Sequence, residues 1–286
     1  MTINILTAAF NNLKKYSDST FVIQCNGSIL QNNDLLRSFA EDITALQNSG
    51  VNIIIIHDGN NIVSSMIDKF TLKGASDNLI ITDQATAEIV EMILSGHVNQ
   101  KIVSQLNQAG GYATGISGKD AQFMVARRAK IARYDYSINE KILNFGFLGE
   151  LALINPDILF LLEDNGLIPV ISTIALGEDG KTYRIDASEI SGAIASILSV
   201  QRIFFISDIP GIIDSEGKII AELDSTKASS FITDSTENNE LSSNIRSALM
   251  ALENNTEIAH IIDGKIPHSL MRELFTDELV GTTIKL

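Results

Sequence analysis

The sequence predicts an α/β protein in which helices cover both faces of a mostly parallel sheet. Apolar, β-branched runs of strand length alternate along the chain with segments whose apolar residues have helical spacing. The run at residues 51–56 is almost continuously apolar, as expected for a strand buried on both faces. Polar turns containing glycine follow the first two strands, and in such a sheet the turns at the carboxyl ends of the strands line the ligand crevice.

The composition limits the class of protein. The chain has 286 residues, of which 45% are hydrophobic, and this length favours two lobes. Its net charge of −14 argues against nucleic acid or an anionic membrane as a partner, because both require a basic face. A single cysteine, Cys25, fits a reducing compartment, and we find neither a signal peptide pattern nor an apolar run of about 18 residues. We therefore expect a cytoplasmic protein.

The first predicted strand covers residues 21–25, and the turn Asn26-Gly27 follows it. A segment with helical spacing then begins at Leu35. Backbone N–H groups at the start of a helix attract anions, so this turn is either a phosphate-binding turn or an ordinary connection. An amphipathic helix at residues 3–16 precedes the strand, and we expect it to cover the protein's own sheet or to pack on a second subunit.

The second unit repeats the order of strand, turn and helix. The strand at 51–56 is followed by a turn at 57–61 and a helix at 62–70. His57 is either a ligand contact or a hydrogen-bonding residue at the strand end. A third helix is expected to start at residue 82 or 83 and to end before Gly96.

The middle of the chain contains a helix at 101–107 and a glycine-rich stretch at 109–120. The glycine-rich stretch is not a P-loop, because Asp120 follows Lys119 where that motif requires Ser or Thr. We interpret the next feature, a basic cluster, as a solvated strand or hairpin edge. The cluster consists of Arg127, Arg128, Lys130 and Arg133.

The first half ends with a helix that begins near Pro156 and a strand at 167–172. We place a boundary near 176–180, which divides the chain into lobes 1–176 and 177–286. The turn at 207–214 suits a ribose, a base or a metal-bound phosphate, or is a surface turn capped by aspartate. The predicted strands of the second half lie at 202–206, 218–223, 258–264 and 282–285, and the helices at 187–200, 228–233, 241–253 and 269–275.

Several motifs resemble those of the acetylglutamate kinases of the amino acid kinase family, and the resemblance is nearly collinear from Ile5 to Ile284. The motifs are Ile81-Thr82-Asp83 with Glu88-Ile89-Val90-Glu91-Met92, Gly115-Ile116-Ser117-Gly118-Lys119-Asp120, Ile154-Asn155-Pro156, Ser207-Asp208-Ile209-Pro210-Gly211-Ile212-Ile213-Asp214, and His260-Ile261-Ile262-Asp263-Gly264-Lys265-Ile266-Pro267-His268 leading to Glu273-Leu274-Phe275-Thr276. These motifs disfavour a nucleoside-monophosphate or aspartate kinase.

The resemblance implies an open, mostly parallel sheet in a three-layer αβα sandwich. It implies that the N-terminal lobe holds an acylated amino acid and the dimer surface, and that the C-terminal lobe holds MgATP if nucleotide binding is retained. It also implies a homo-oligomer, dimeric or hexameric through the leading helix. The implied nucleotide-binding residues are Gly27, Ser207, Asp208, Gly211 and Asp214; the substrate-binding residues are Gly59, Asn60, Ile80 and Arg184; and an arginine-type regulatory site contains Tyr16, Lys218, His268 and Glu273.

The catalytic positions depart from the pattern of the family. Its two lysines align with Gln24 and Asn244, and its organising aspartate aligns with Ser188. The substrate arginine aligns with Ile80, and an asparagine of the substrate site with Arg184. The glycine pairs align with Asn26-Gly27 and Asn239-Glu240, and the triple-glycine turn with Asp58-Gly59-Asn60.

Two hypotheses follow. The first is a catalytically silent or very weak paralogue with a structural or regulatory role, acting alongside an active kinase. The second is an active ATP-dependent kinase of N-acetyl-L-glutamate or another carboxylate, in which Arg184 and Lys119 replace the missing cations.

Overall fold

The computed structural model describes residues 15–71, 84–129, 148–233 and 239–286. Several predicted features lie outside these ranges. They are the leading helix except for Lys15 and Tyr16, which form part of a turn, and also Ile80, the helix start at residue 82 or 83, Lys130 and Arg133.

The strands of the described chain are β1 Thr20–Cys25, β2 Asn52–His57, β3 Ala113–Ile116, β4 Met124–Arg128, β5 Gly149–Ile154, β6 Ile168–Ser172, β7 Ile174–Gly177, β8 Thr182–Arg184, β9 Arg202–Ser207, β10 Glu222–Asp224, β11 Ile258–Asp263 and β12 Gly281–Lys285. The central sheet has eight of these strands in the order β10-β12-β11-β9-β1-β2-β6-β3. All neighbouring strands in it are parallel except β11 and β12, which confirms the mostly parallel sheet.

Helices cover both faces of this sheet, as the alternation of strands and helices predicts. Alternate residues of β1 point to opposite faces, so Phe21 and Ile23 pack in one apolar core and Val22 packs in the other. The helices are α1 Ser28–Gln31, α2 Asn33–Asn48, α3 Asn60–Thr71, α4 Gln84–Glu91, α5 Asn99–Gln108, α6 Asp157–Asp164, α7 Ala187–Leu198, α8 Ser225–Ser229, α9 Asn239–Glu253 and α10 Ser269–Phe275. Helices α2 and α5 contribute to the first core, and α7 and α9 to the second.

A second sheet of four strands, in the order β5-β4-β7-β8, was not predicted. Its strands β7 and β8 have only four and three residues, too few for the alternation of apolar and polar residues to be read with certainty. In this sheet β4 pairs antiparallel with β5 as far as Arg128 but with β7 only at Val125 and Ala126. Arg127 and Arg128 therefore lie on a solvent-exposed strand end that pairs on one side, as predicted for the basic cluster, and Arg127 Nε donates to Glu150 Oε2 at 3.3 Å.

The prediction that Gly96 ends the third helix is wrong. The chain continues from α4 as a π-helix, Met92–Val98, and then as α5. A glycine weakens a helix interior by about 1 kcal/mol, but it does not end a helix that tertiary packing supports. Here the flanking side chains of Leu94 and Val98 are buried.

Helix α8 begins three residues earlier than predicted, at Ser225 instead of Ala228. The cause is an N-cap that the prediction did not use, because the side chain of Asp224 accepts from Lys227 N at 2.8 Å. The predicted division into lobes 1–176 and 177–286 falls at the end of β7 and stays a prediction. Strands from both halves contribute to the central sheet.

We expect the core around Phe204 to dominate the stability of the C-terminal half. Phe204 is fully buried, and its ring stacks on His260 with centroids 4.6 Å apart. Phe204→Ala should therefore reduce the free energy of unfolding by about 3–5 kcal/mol, measured by urea denaturation. Ile197→Ala is the control, because Ile197 is 47% exposed and its truncation should cost about 0.5 kcal/mol or less. Equal losses in the two variants would contradict this assignment of the core.

Candidate functional site

A cavity of about 440 Å³ lies at the carboxyl ends of the parallel strands, where the sequence predicts a ligand crevice. The turns after β1, β2 and β9 meet there with the segment that joins β8 to α7 and with the start of α9. The polar lining residues include Asn26, Gly27, Asp58, Gly59, Asn60, Arg184, Asp186, Ser188, Asp208, Glu240 and Ser243. The structure therefore brings together Gly27, Gly59, Asn60, Arg184, Ser188 and Asp208 of the predicted site.

The lining is acidic. It contains four carboxyl groups, those of Asp58, Asp186, Asp208 and Glu240. Among the lining residues that the structure describes, Arg184 is the one cation. Burial, followed by the nearby charge of Asp58, raises the pKa of Asp186. Burial is also the main cause that raises the pKa of Glu240, and the other three carboxylates add to it. A cavity of this kind favours cationic or neutral groups over anions.

Arg184 is held by Asp58. The Arg184 Nη2 donates to both carboxylate oxygens of Asp58, at 2.6 Å and 2.5 Å. The two side chains are only 11% and 10% exposed, so the pair is largely shielded from water. Asp58 also accepts from Gly59 N at 2.7 Å and from Asn60 Nδ2 at 3.0 Å. Both oxygens of Asp58 are therefore fully used inside the protein.

A second carboxylate occupies the turn after β1. Gly27 has a φ of +66°, a conformation that favours glycine, and a Cβ there would lie 2.8 Å from the carboxyl carbon of Asp208. Asp208 Oδ1 accepts from Ser28 N at 2.9 Å, at the start of α1. The side chain of Asn26 joins this turn to its neighbours, because it donates to Glu240 Oε1 and accepts from Asp58 N, both at 3.2 Å.

Three neutral polar residues are buried at or next to the cavity: Ser188 lines it, while Gln24 and Asn244 do not. Ser188 Oγ donates to Asn244 Oδ1 at 2.7 Å, so the structure brings these two predicted positions together. Gln24 lies on β1 and is 1% exposed, and Asn244 is fully buried. Gln24 Oε1 and Asn244 Nδ2 have no hydrogen-bond partner among the described residues. A buried lysine or aspartate would bring charge to these positions, whereas glutamine, serine and asparagine do not.

The other predicted nucleotide residues are used within their own turn. Ser207 Oγ accepts from Ile209 N at 3.2 Å. Asp214 Oδ1 accepts from Glu216 N at 2.8 Å and Lys218 N at 2.9 Å. Gly211 has a φ of +121° and lies against Thr282. Unlike Asp208, these residues do not line the cavity.

Lys119 does not line the cavity either. Its Nζ donates to Glu91 Oε2 and to Thr182 Oγ1, both at 2.7 Å. These contacts connect the loop after β3 with α4 and β8. The remaining predicted substrate residue, Ile80, lies outside the described residues.

Two members of the predicted regulatory site, Tyr16 and Glu273, meet in one partly buried polar network. Arg202 Nη2 donates to the Tyr16 hydroxyl at 3.3 Å, and Arg202 Nη1 contacts His260 Nε2 at 2.7 Å. Since a guanidinium can only donate, His260 Nε2 accepts, and the neutral ring donates Nδ1–H to Glu273 Oε1 at 2.8 Å. Burial lowers the pKa of His260, which agrees with a neutral ring.

Sequence analysis did not find Arg202 and His260 as members of this network. The available signal was a charged or polar residue within an apolar strand. The other two predicted regulatory residues make different contacts. His268 Nδ1 pairs with Asp42 Oδ1 at 2.7 Å, and Lys218 Nζ pairs with Glu216 at 3.0 Å on the surface.

His57 points away from the cavity. Its Nε2 lies 3.1 Å from Asn99 Nδ2, and the residue is fully buried. It is therefore a hydrogen-bonding residue at the strand end, the second of the two roles that the sequence left open. Burial lowers the pKa of His57 to about 4.

Two features are absent from the residues that the structure describes. No helix there is long and apolar enough to cross a bilayer. No group of three or more His, Cys, Asp or Glu side chains in the same part of the chain could hold a metal ion.

The sequence profile of the amino acid kinase family matches residues 19–263. Acetylglutamate kinases are similar over nearly the whole chain. The enzyme of Hahella chejuensis is 34% identical over 282 residues, which cover 98% of this chain and 93% of the relative. The enzyme of Parvibaculum lavamentivorans is 36% identical over 283 residues, with the same coverage of 98% and 93%. That of Rhizobium johnstonii is 36% identical over 286 residues, covering 99% and 97%.

Solved structures with lower identity share the fold. N-acetylglutamate synthase from Neisseria gonorrhoeae, complexed with coenzyme A and N-acetyl-glutamate, has a TM-score of 0.79 at 20% identity. All of this chain is covered, but it spans only 64% of the synthase chain. Carbamate kinase from Giardia lamblia, bound to AMP-PNP, has a TM-score of 0.66 at 12% identity, covering 93% of this chain and 98% of that one.

The buried His57 should make the protein less stable in mild acid. Its pKa is about 4 in the folded state, below the ordinary 6.5, so between these values the unfolded chain binds a proton that the folded chain does not. The contribution of His57 is fully present above pH 6.5 and is lost as the pH falls. Between pH 7 and pH 5 we expect the titration of His57 alone to remove about 2 kcal/mol from the free energy of unfolding.

His57→Gln tests this expectation, because it retains an acceptor for Asn99 and cannot titrate. Urea denaturation at pH 7, 6 and 5 should show a smaller loss for this variant than for the native protein, whose other titrating groups it shares. His97→Gln is the matched control, since His97 is exposed. A loss in His57→Gln as large as that of the native protein would contradict the assignment.

Proposed function

Because the chain belongs to the amino acid kinase family, in which acetylglutamate kinases are its relatives, we propose that it is a catalytically silent or very weak homologue with a structural or regulatory role. The observation that carries the proposal is the charge of the cavity. Four carboxyl groups line it, and its one described cation is bound by one of them.

Phosphoryl transfer to a carboxylate brings two anions together. The γ-phosphoryl group of ATP carries negative charge, and the δ-carboxylate of N-acetyl-L-glutamate carries more. Catalysis of such a step consists of positioning and of charge neutralisation by cations and backbone N–H groups. Removing one such preorganised group typically lowers the rate by about 10²–10³. A site that lacks several of them should retain little activity.

The described cavity is poor in these groups. At the positions that the resemblance assigns to two lysines and an aspartate, the chain has the neutral, buried side chains of Gln24, Asn244 and Ser188. The backbone N–H groups of Ser28 and Gly59 both donate to internal carboxylates. Both facts support a site that does not stabilise transferring phosphoryl groups.

The same shortage of cations and free N–H donors argues against the binding of MgATP at this site. ATP is the phosphoryl donor that a kinase family implies, and its polyphosphate needs cations and free N–H donors. Asp58 stands in the turn that the resemblance assigns to three glycines, where a phosphate oxygen would have to approach the backbone, and it already accepts from Gly59 N. The residues present do not fit the nucleotide, and we propose no phosphoryl transfer from MgATP.

The alternative is an active kinase of N-acetyl-L-glutamate or of another carboxylate that uses rearranged cations. Its support is the presence of Arg184 in the cavity. Against it stand the ion pairs of both candidate cations, because Arg184 is bound by Asp58 and Lys119 by Glu91. A kinase would have to break the first of these pairs before Arg184 could contact a substrate.

In the proposed role, the protein binds partner subunits or small molecules and does not catalyse a reaction. The predicted partners are a second copy of the chain in a homo-oligomer and an active kinase paralogue. Arginine remains a candidate ligand near Tyr16 and Glu273, whereas a nucleotide and an acylated amino acid, which the resemblance also implies, are anions that do not fit the acidic cavity. The partly buried network of these two residues with Arg202 and His260 supports that region as a structured, polar site.

The decisive assay is turnover of MgATP with N-acetyl-L-glutamate by the purified native chain. We expect no turnover above the background without protein. A variant that restores the groups implied by the family and vacates the turn after β2, Gln24→Lys, Asp58→Gly, Ile80→Arg, Ser188→Asp and Asn244→Lys, should exceed the native protein by about 10²-fold or more if it folds. Its fold is checked by circular dichroism.

A control variant with two surface lysines, Asn165→Lys and Asn254→Lys, separates the effect of site chemistry from that of added positive charge. It should stay as inactive as the native protein. Turnover by the native chain that Arg184→Met abolishes would overturn the proposal and establish the alternative.

A further inference from the structure

The turn after β2 has the donors of an anion-binding site. Helix α3 has 12 residues and begins at Asn60, so the turn lies at its positive end. Three groups from different elements converge there: the backbone N–H of Gly59, the side-chain amide of Asn60 and the guanidinium of Arg184 from the end of β8. Guanidinium and N–H groups in this arrangement are those that hold phosphate or carboxylate ligands in proteins.

The protein supplies its own anion to these donors. Asp58 Oδ1 accepts from Gly59 N at 2.7 Å and from Arg184 Nη2 at 2.6 Å. Asp58 Oδ2 accepts from Arg184 Nη2 at 2.5 Å and from Asn60 Nδ2 at 3.0 Å. The carboxylate thus makes the contacts that a bound anion would make, while lining the cavity that a ligand would enter.

We propose that the carboxylate of Asp58 is a built-in occupant of the anion position of this cavity, so that the native protein excludes phosphoryl and carboxylate groups from it and becomes an anion-binding protein when Asp58 is removed. This inference rests on the proposed function, because a working kinase would need the same donors for its substrates.

Two physical reasons make the exclusion effective. Asp58 is attached to the turn that it fills, so it competes as an intramolecular ligand whose effective concentration exceeds that of a dissolved metabolite. A dissolved anion would also have to enter beside Asp186, Asp208 and Glu240, whose charges repel it. Displacing Asp58 would add a fourth unpaired carboxylate to the same cavity.

Removing the carboxylate should reverse the preference. In Asp58→Ala the guanidinium of Arg184 stays largely buried and loses its counter-ion. A buried charge without a partner destabilises the fold, and a dissolved anion that restores the pair binds the folded state only. The thermal stability of this variant should therefore depend on the anion concentration.

Asp208→Ala is the matched control. It removes one negative charge from the same cavity, and Asp208 likewise accepts from a backbone N–H, that of Ser28. It leaves the Arg184 pair intact. The double variant Asp58→Ala/Arg184→Met tests whether an anion needs the guanidinium in order to bind, since it removes the carboxylate from the anion position and also removes the guanidinium.

The experiment is a thermal unfolding scan of the native chain and these three variants, with and without about 50 mM inorganic phosphate at constant ionic strength. We expect phosphate to raise the Tm of Asp58→Ala by about 3–6 °C and to raise the Tm of the other three proteins by less than about 1 °C. Formate, which has the size of the missing carboxylate, should act in the same direction as phosphate.

The outcomes are decisive in each case. An equal shift in Asp58→Ala and Asp208→Ala would overturn the proposal, because the effect would then come from the charge of the cavity and not from the vacated position. No shift in Asp58→Ala, or an equal shift in the double variant, would also overturn it. Should Asp58→Ala fold only with phosphate or formate in the refolding buffer, that dependence would support the proposal.

Should Asp58→Ala not fold under either condition, the scan is made with Asp58→Asn, which keeps the side-chain shape and loses the charge. A phosphate shift above that of the native protein then supports the proposal, and no shift overturns it. A native chain that turns over MgATP disproves the proposed function. A native chain that is silent, with variants that do not respond to phosphate, disproves this inference alone.

Discussion

The cavity depends on one ion pair. The guanidinium of Arg184 belongs to the small sheet and the carboxylate of Asp58 to the central one, so their contacts of 2.5–2.6 Å fix the two sheets to each other at the mouth of the site. A guanidinium that is only 11% exposed needs a counter-ion, because an unpaired charge at that depth would be costly. The pair therefore decides both the geometry of the cavity and which charges remain free in it.

The packing of the two apolar cores does not depend on the residues that phosphoryl transfer would need. The two apolar cores lie on opposite faces of the central sheet, and few of their residues, among them Leu30 and Ile185, also line the cavity. Changes at the carboxyl ends of the strands alter charge and hydrogen bonding without removing this packing. A chain with acetylglutamate kinases as relatives can thus combine this packing with an acidic cavity.

The sequence predicted the parts of the fold that depend on local pattern. The strands at the centre of the sheet and α10, Ser269–Phe275, were found because their apolar spacing and end signals agree. The small sheet was missed because β7 and β8 are short. Gly96 was wrongly predicted to end a helix, because packing overrides the low helix propensity of glycine. Within the site, the turns were predicted to converge, but the pairing of Arg184 with Asp58 joins residues 126 positions apart and leaves no spacing signal.

The most direct test of this account is a double-mutant cycle on the pair, using urea denaturation of the native chain, Asp58→Ala, Arg184→Met and the double variant. The account requires a favourable coupling of at least about 2 kcal/mol, because each single variant leaves a buried charge without its partner and the double variant leaves none. A coupling near zero would contradict the account, since Arg184 would then be free to neutralise a substrate and the cavity would have a cation available for catalysis.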